Sequence, residues 1–218
     1  MKKTLIKNIG SLITVSSNSE LKKGHEMKEL PLIKNAWLKI KDNRILDFGN
    51  MDNWEGIDNW NEFNIIDAES GTILPSWCDS HSHIVYAGSR EQEFVDKING
   101  LSYEEIAKKG GGILNSSLML KETSEEDLYN QSMKRIDEVI NGGTGAIEIK
   151  SGYGLDTEQE IKMLRVIKKI KETSPITVKS TFLGAHAIPK NYKANPDQYV
   201  EKIINEMIPV IAKEKLAD

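Results

Sequence analysis

The run Ile73-Leu74-Pro75-Ser76-Trp77-Cys78-Asp79-Ser80-His81-Ser82-His83 decides the fold. It opens as a short apolar stretch, read as a buried strand, and ends in two histidines of the four that the chain contains. Residues two apart on a strand point to the same side, so both imidazoles can converge on one point, the geometry of two metal ligands. Imidazole donors suit zinc or iron, and a cation there would make hydroxide available from water at neutral pH. Asp79 stands near enough to orient one ring from behind. The bland alternative is a pair of surface or core histidines. Between Trp77 and Asp79, Cys78 reads as a small buried residue, and His25, in a charged loop, as inert.

Two later runs, Gly145 to Lys150 and Ile176 to Leu183, repeat the pattern of a strand followed by a polar loop. Between them Thr123 with Glu126 forms a capping-box pattern opening a helix to Ile140, closed by Gly142-Gly143. Thr157 with Glu160 repeats the device before Ile161, Leu164, Ile167 and Ile170 at helical spacing. A last helix spans about Asp197 to Lys213, interrupted by Pro209. Strands alternating with helices predict α/β structure with a parallel sheet. Polar residues just past the strand ends favour a TIM-like (β/α)8 barrel, which builds its site there. A doubly wound dinucleotide fold would supply GxGxxG after a strand, and none is present. Gly110-Gly111-Gly112 follows a helix-like segment from Tyr103 to Lys109 and lacks a following Lys-Ser/Thr, so it reads as a helix stop rather than a phosphate loop.

Working toward the N-terminus, Thr4 to Val15, Ala36 to Lys41, Arg44 to Phe48 and Asn64 to Ala68 read as short strands, with Asp42-Asn43 as a hairpin turn. Residues 1–70 therefore read as part of a small, mostly antiparallel, β-sandwich-like domain. Ser16 to Pro31 and Met51 to Glu62 read as surface loops. The 148 residues from 71 to 218 hold only four or five βα units of about 30 residues. A closed barrel needs roughly 200 to 250. The barrel is therefore expected to be incomplete here.

Three more side chains stand at strand ends or beside the histidines. Arg90 could capture a substrate carboxylate in a bidentate way, or pair at the surface with Glu91 or Glu93. Tyr153, flanked by glycines that allow close backbone approach, is either a ligand contact or a packed loop aromatic. His186 could hydrogen-bond a substrate or reacting oxygen, or be satisfied by the core. The 218 residues are 39% hydrophobic and 28% charged, within the globular range. A net charge of -4 without a basic, aromatic-studded stripe argues against nucleic acid and for a small-molecule substrate. The apolar N-terminal run is broken too early for a leader or a membrane span, and one cysteine fits a reducing compartment, so a cytoplasmic protein is expected.

Longer strings carry a resemblance. Ile66-Asp67-Ala68, Gly71, Leu74-Pro75 and Asp79 to His83 resemble the start of the barrel in the amidohydrolase superfamily. Gly88 to Glu91, Ser102 to Ile106, Gly110 to Ile113, Glu148 to Leu155 and Thr181 to Ala187 are similar, within it, to the imidazolonepropionase family over nearly the whole chain. The resemblance implies hydrolysis of the cyclic amide of 4-imidazolone-5-propanoate to N-formimidoyl-L-glutamate by a water bound to zinc or iron. It implies His81 and His83 as metal ligands, and Arg90, Tyr153 and His186 as substrate contacts, with Arg90 on the propanoate carboxylate and His186 also catalytic. Tyr103 would line the same pocket, and a homodimer is compatible with it. A third histidine, an acidic catalytic residue and an aspartate ligand belong to later strands of the family, so no turnover is expected from this chain alone. Ser76-Trp77 stands where the family usually has glycine and a phenylalanine-like residue. A sister cyclic amidase or deaminase, and a non-catalytic truncated chain with open sheet edges, are the rival readings.

Overall fold

The computed structural model describes residues 3–15, 22–108 and 111–218, with the side chains of Tyr103, Ala107, Lys108 and Leu114 outside the described set. The chain divides into two compact units, Met1–Pro75 and Ser76–Asp218. The division falls after Pro75 rather than residue 70 because Thr72–Ile73 pairs with the first strand.

The first unit is one mixed sheet of β1 (Lys3–Ile13), β2 (Leu32–Lys41), β3 (Arg44–Asn50), β4 (Phe63–Asp67) and β5 (Thr72–Ile73). Its order is β3-β2-β1-β4, with β5 also on β1; the β1-β2-β3 pairs are antiparallel, while β4 and β5 lie parallel to β1. No second sandwich layer occurs among the described residues of this unit. The Asp42-Asn43 turn forms as the sequence predicts, with positive φ at both residues. Ile9, Leu12, Ala36 and Leu38 make its small core. Trp37, Trp54 and Trp60 are linked by ring contacts at centroid distances of 6.5 and 6.0 Å.

The second unit carries a parallel sheet in the order β6 (Trp77–Ser82), β7 (Thr144–Lys150), β8 (Thr177–Thr181). After β6 come α1 (Glu91–Ile98), α2 (Tyr103–Lys108), α3 (Ile113–Glu122) and α4 (Glu125–Asn141). A single helix, α5 (Thr157–Thr173), joins β7 to β8. The chain ends in α6 (Pro196–Lys202), a π-helical turn at Ile203–Met207 and α7 (Ile208–Glu214), with Pro209 seated in the first turn of α7. Ile147, Ile149 and Val178 alternate onto the sheet face that meets the core faces of α4 and α5, including Leu128, Ile136, Leu164 and Ile167. Each such side chain contributes about 1.5–3 kcal/mol on burial. Among the described residues no helix is long and apolar enough to cross a membrane.

Three sequence expectations change. The caps are Ser124, accepting from Asp127 N, and Asp156, accepting from Gln159 N, rather than Thr123 and Thr157. The strand before the histidines is not buried: β6 pairs only with β7 among the described residues and is largely exposed. Cys78 is exposed for the same reason.

Candidate active site

Three strand ends meet at the site. β6 delivers His81 and His83, the segment after β7 delivers Tyr153, and the turn at Gly184–His186 after β8 delivers His186. Strict strand alternation does not align the two histidines, because the β6-β7 register shifts between Asp79 and Ser82 and His83 lies just beyond the strand. The bulge turns the rings toward one another, with centroids 5.6 Å apart. Ser82 Oγ donates to the Glu148 carbonyl at 2.7 Å, and Asp79 accepts from the His81 backbone N–H at 3.0 Å. Asp79 thus shapes the turn; it does not hold an imidazole, as the sequence had suggested.

His83 is the hub. Its ring stacks on Tyr153 at 5.0 Å and lies 4.9 Å from the exposed His186 ring, while Tyr153 and His186 meet at 5.8 Å. Both ring nitrogens of His83 are buried without a hydrogen-bond partner. Burial, followed by the charges of His186, His81 and Lys150, holds the ring below the usual histidine range, and a weak backbone influence from Lys150 opposes this without forming a well-aligned hydrogen bond. The ring is therefore neutral near pH 7, with a lone pair available. Burial raises the Tyr153 hydroxyl above its ordinary range, so it remains a hydrogen-bond donor.

A cavity of about 260 Å³ opens between His83, Tyr86, Ser89, Arg90, Ser116 and Tyr153. Arg90 lies in its wall and donates through Nε at 2.8 Å, and through a second guanidinium nitrogen, to Oε2 of the buried Glu93. Glu93 Oε1 in turn accepts from Gly112 N at 2.8 Å. Pairing with Glu93 and facing the cavity are thus one arrangement. The same contact explains Gly111-Gly112: the start of α3 meets a carboxylate of its own chain, and Gly110 lies outside the described residues. Tyr103 opens α2, but its side chain is outside the described set. His25 stands exposed in a 3-10 turn of the first unit.

Sequence reading missed three polar supports. Arg135 donates to the carbonyls of Ile84 and Tyr86 at 3.1 and 2.9 Å, holding the segment after His83. Glu148 accepts from Lys150 and, at 2.6 Å, from Thr181, tying the ends of β7 and β8 together. Glu160 is fully buried and grips the Tyr153 loop. The signal for it was available: Glu160 falls on the same helical stripe as Met163, Leu164 and Ile167.

No protein-family model matches the chain. An imidazolonepropionase of Christiangramia forsetii is 60% identical over 215 residues, 98% of this chain and 52% of that protein. One of Flavobacterium johnsoniae is 60% identical over 216 residues, 99% of this chain and again 52% of the relative. The chain is homologous to the N-terminal half of imidazolonepropionases. It spans about half the length of the curated imidazolonepropionases it matches. Among solved structures, 5-methylcytosine deaminase from Klebsiella pneumoniae aligns with 94% of this chain and 42% of its own, at 14% identity and a TM-score of 0.57. At that identity the likeness is one of fold alone.

Proposed function

We infer that the protein containing this chain hydrolyses the ring amide of 4-imidazolone-5-propanoate, adding water across the C–N bond to give N-formimidoyl-L-glutamate. The observation that carries this reading is the convergence of His81, His83, Tyr153 and His186 beside the cavity wall that holds Arg90. The 60% identity to imidazolonepropionases supplies the substrate. β6, β7 and β8 then serve as the first strands of a (β/α)8 barrel.

The donor set fits a divalent metal ion, zinc or iron. His83 offers unpartnered buried ring nitrogens and is held neutral, and His81 adds a second imidazole beside it. Among the described residues no group of three His, Cys, Asp or Glu completes a site, so these two would hold the ion together with groups from elsewhere in the protein. Bound there, the ion would supply Lewis acidity to the amide carbonyl and to water. Arg90, pre-oriented by Glu93, receives the propanoate carboxylate as a fork. Tyr153 and His186 bracket the ring, and His186 stands where it can exchange a proton with a reacting oxygen or nitrogen.

The test is turnover by the metal-loaded full-length protein, followed as loss of imidazolone absorbance. Arg90→Lys is expected to raise KM about 10- to 100-fold through the lost fork contact, with a smaller change in kcat. Absence of turnover by the intact protein, or indifference to Arg90, overturns the assignment.

A further inference from the structure

A carboxylate at zero exposure on an apolar helix face stays only where its oxygens are satisfied. Glu160 sits on α5, and its acceptors are used by the loop that follows β7. Oε2 accepts from Gly152 N at 3.0 Å, while Oε1 accepts from Gly154 N at 2.7 Å and Leu155 N at 3.2 Å. The glycine spacing is tailored to this grip: a Cβ on Gly154 would overlap the Glu160 backbone. Leu155, at φ +59°, holds a backbone shape that local preference does not supply, and Gly152, at φ +120°, one that only glycine adopts readily.

The same carboxylate reaches both aromatic groups of the candidate site. Tyr153 rides between the gripped amides and stacks on His83. A Cβ on Gly152 would come within 2.8 Å of His186 Cβ and 3.0 Å of the Leu183 carbonyl, so the position of this loop limits where His186 can sit. Ser151 Oγ, beside Glu160, accepts from Leu183 N at 3.1 Å. The buried Tyr199 hydroxyl closes the far side by donating to the Gly184 carbonyl at 2.9 Å.

We propose that Glu160 is the positioning residue of the site, fixing Tyr153 and His186 against His83 through the backbone of residues 152–155. This rests on the hydrolase reading for what the two side chains touch, but the grip itself stands without it. Glu160→Gln keeps the shape and replaces one acceptor by a donor that faces an N–H.

Hydrogen exchange on the full-length protein reads the grip directly. The peptide spanning 151–156 is expected to be protected in the wild type, and to exchange at least about tenfold faster in E160Q, because buried amides lose their acceptor. Unchanged exchange overturns the proposal; should E160Q fail to fold, fast exchange in the wild type does so. In turnover assays E160Q is expected to cost about a hundredfold in kcat/KM. In a Tyr153→Phe, His186→Asn background its cost should shrink to roughly threefold or less, since coupled residues are non-additive. A full hundredfold loss there shows that Glu160 acts on something else and also overturns it. If exchange responds but not even the wild type turns over, the substrate assignment falls and the positioning stands.

Discussion

The two halves of the site are built on opposite terms. The tyrosine loop after β7 is complete in itself: three of its amides end on one buried carboxylate, and its glycines admit that carboxylate. The histidine end of β6 is open: the strand is largely exposed, and both buried nitrogens of His83 lack a partner. Satisfied polar groups at the first place make a rigid platform, whereas at the second the His83 nitrogens have no hydrogen-bond partner among the described residues. Stability and chemistry are therefore expected to separate by residue.

The sharpest way to break that contrast is His83→Leu in the full-length protein. Turnover should fall to background and bound metal should drop, while folding stability stays within about 1 kcal/mol or improves, because an apolar group replaces unpaired polar atoms. A large stability loss, read from urea midpoints, would mean that His83 is structural after all. Gly152→Ala probes the closed half. Its positive φ and the nearness of His186 Cβ should cost about 1–3 kcal/mol, together with a shifted His186 resonance. A silent variant would show that the loop does not constrain His186.

The smallest effect concerns the cavity wall between the two halves. Arg90, then the Gly112 amide, holds the Glu93 carboxyl below the ordinary glutamate range against the opposing effect of burial. A depressed carboxylate contributes stability that is present above its unfolded pKa, near about 4.3, and is lost as pH falls through the lower folded value. Hydrogen-exchange protection across residues 91–108, taken relative to the intrinsic rate at each pH, should therefore fall only as pH drops below about 4.3, and Glu93→Gln should abolish that step. Loosening at higher pH would assign the transition to another group.

What the sequence disclosed follows the same division. Helices α4 and α5 were legible because capping and apolar spacing are local properties, although neighbouring Ser124 and Asp156, rather than Thr123 and Thr157, supply the capping oxygens. The juxtaposition of the histidine pair was legible because the two residues stand two apart at a strand end, and their rings do lie 5.6 Å apart. Glu160 was not: three residues after a threonine it imitates a capping box, and only tertiary packing shows that its carboxylate turns inward to the 152–155 loop. Helices α1 and α3 went unread for a related reason. Phe94, Val95 and Ile98 of α1 are exposed, so its apolar spacing marks no core-facing stripe, and in α3 Leu120 is buried while Leu118 faces out. The exposure of β6 depends on what flanks the sheet, which no window of residues encodes.

The placement of the four tryptophans gives the molecule two separable optical signals. Trp37 and Trp60 each make a ring contact with Trp54 in the first unit, whereas Trp77, 60% exposed on β6, is the sole indole of the second unit, Ser76–Asp218. Emission from a solvated indole lies to the red of that from a sheltered one. Trp60 is itself 51% exposed, so long-wavelength emission reports on the β6 edge only as the component that Trp77→Phe removes. Its quenching by iodide, or its blue shift when that edge becomes covered, can be followed in real time without adding a label.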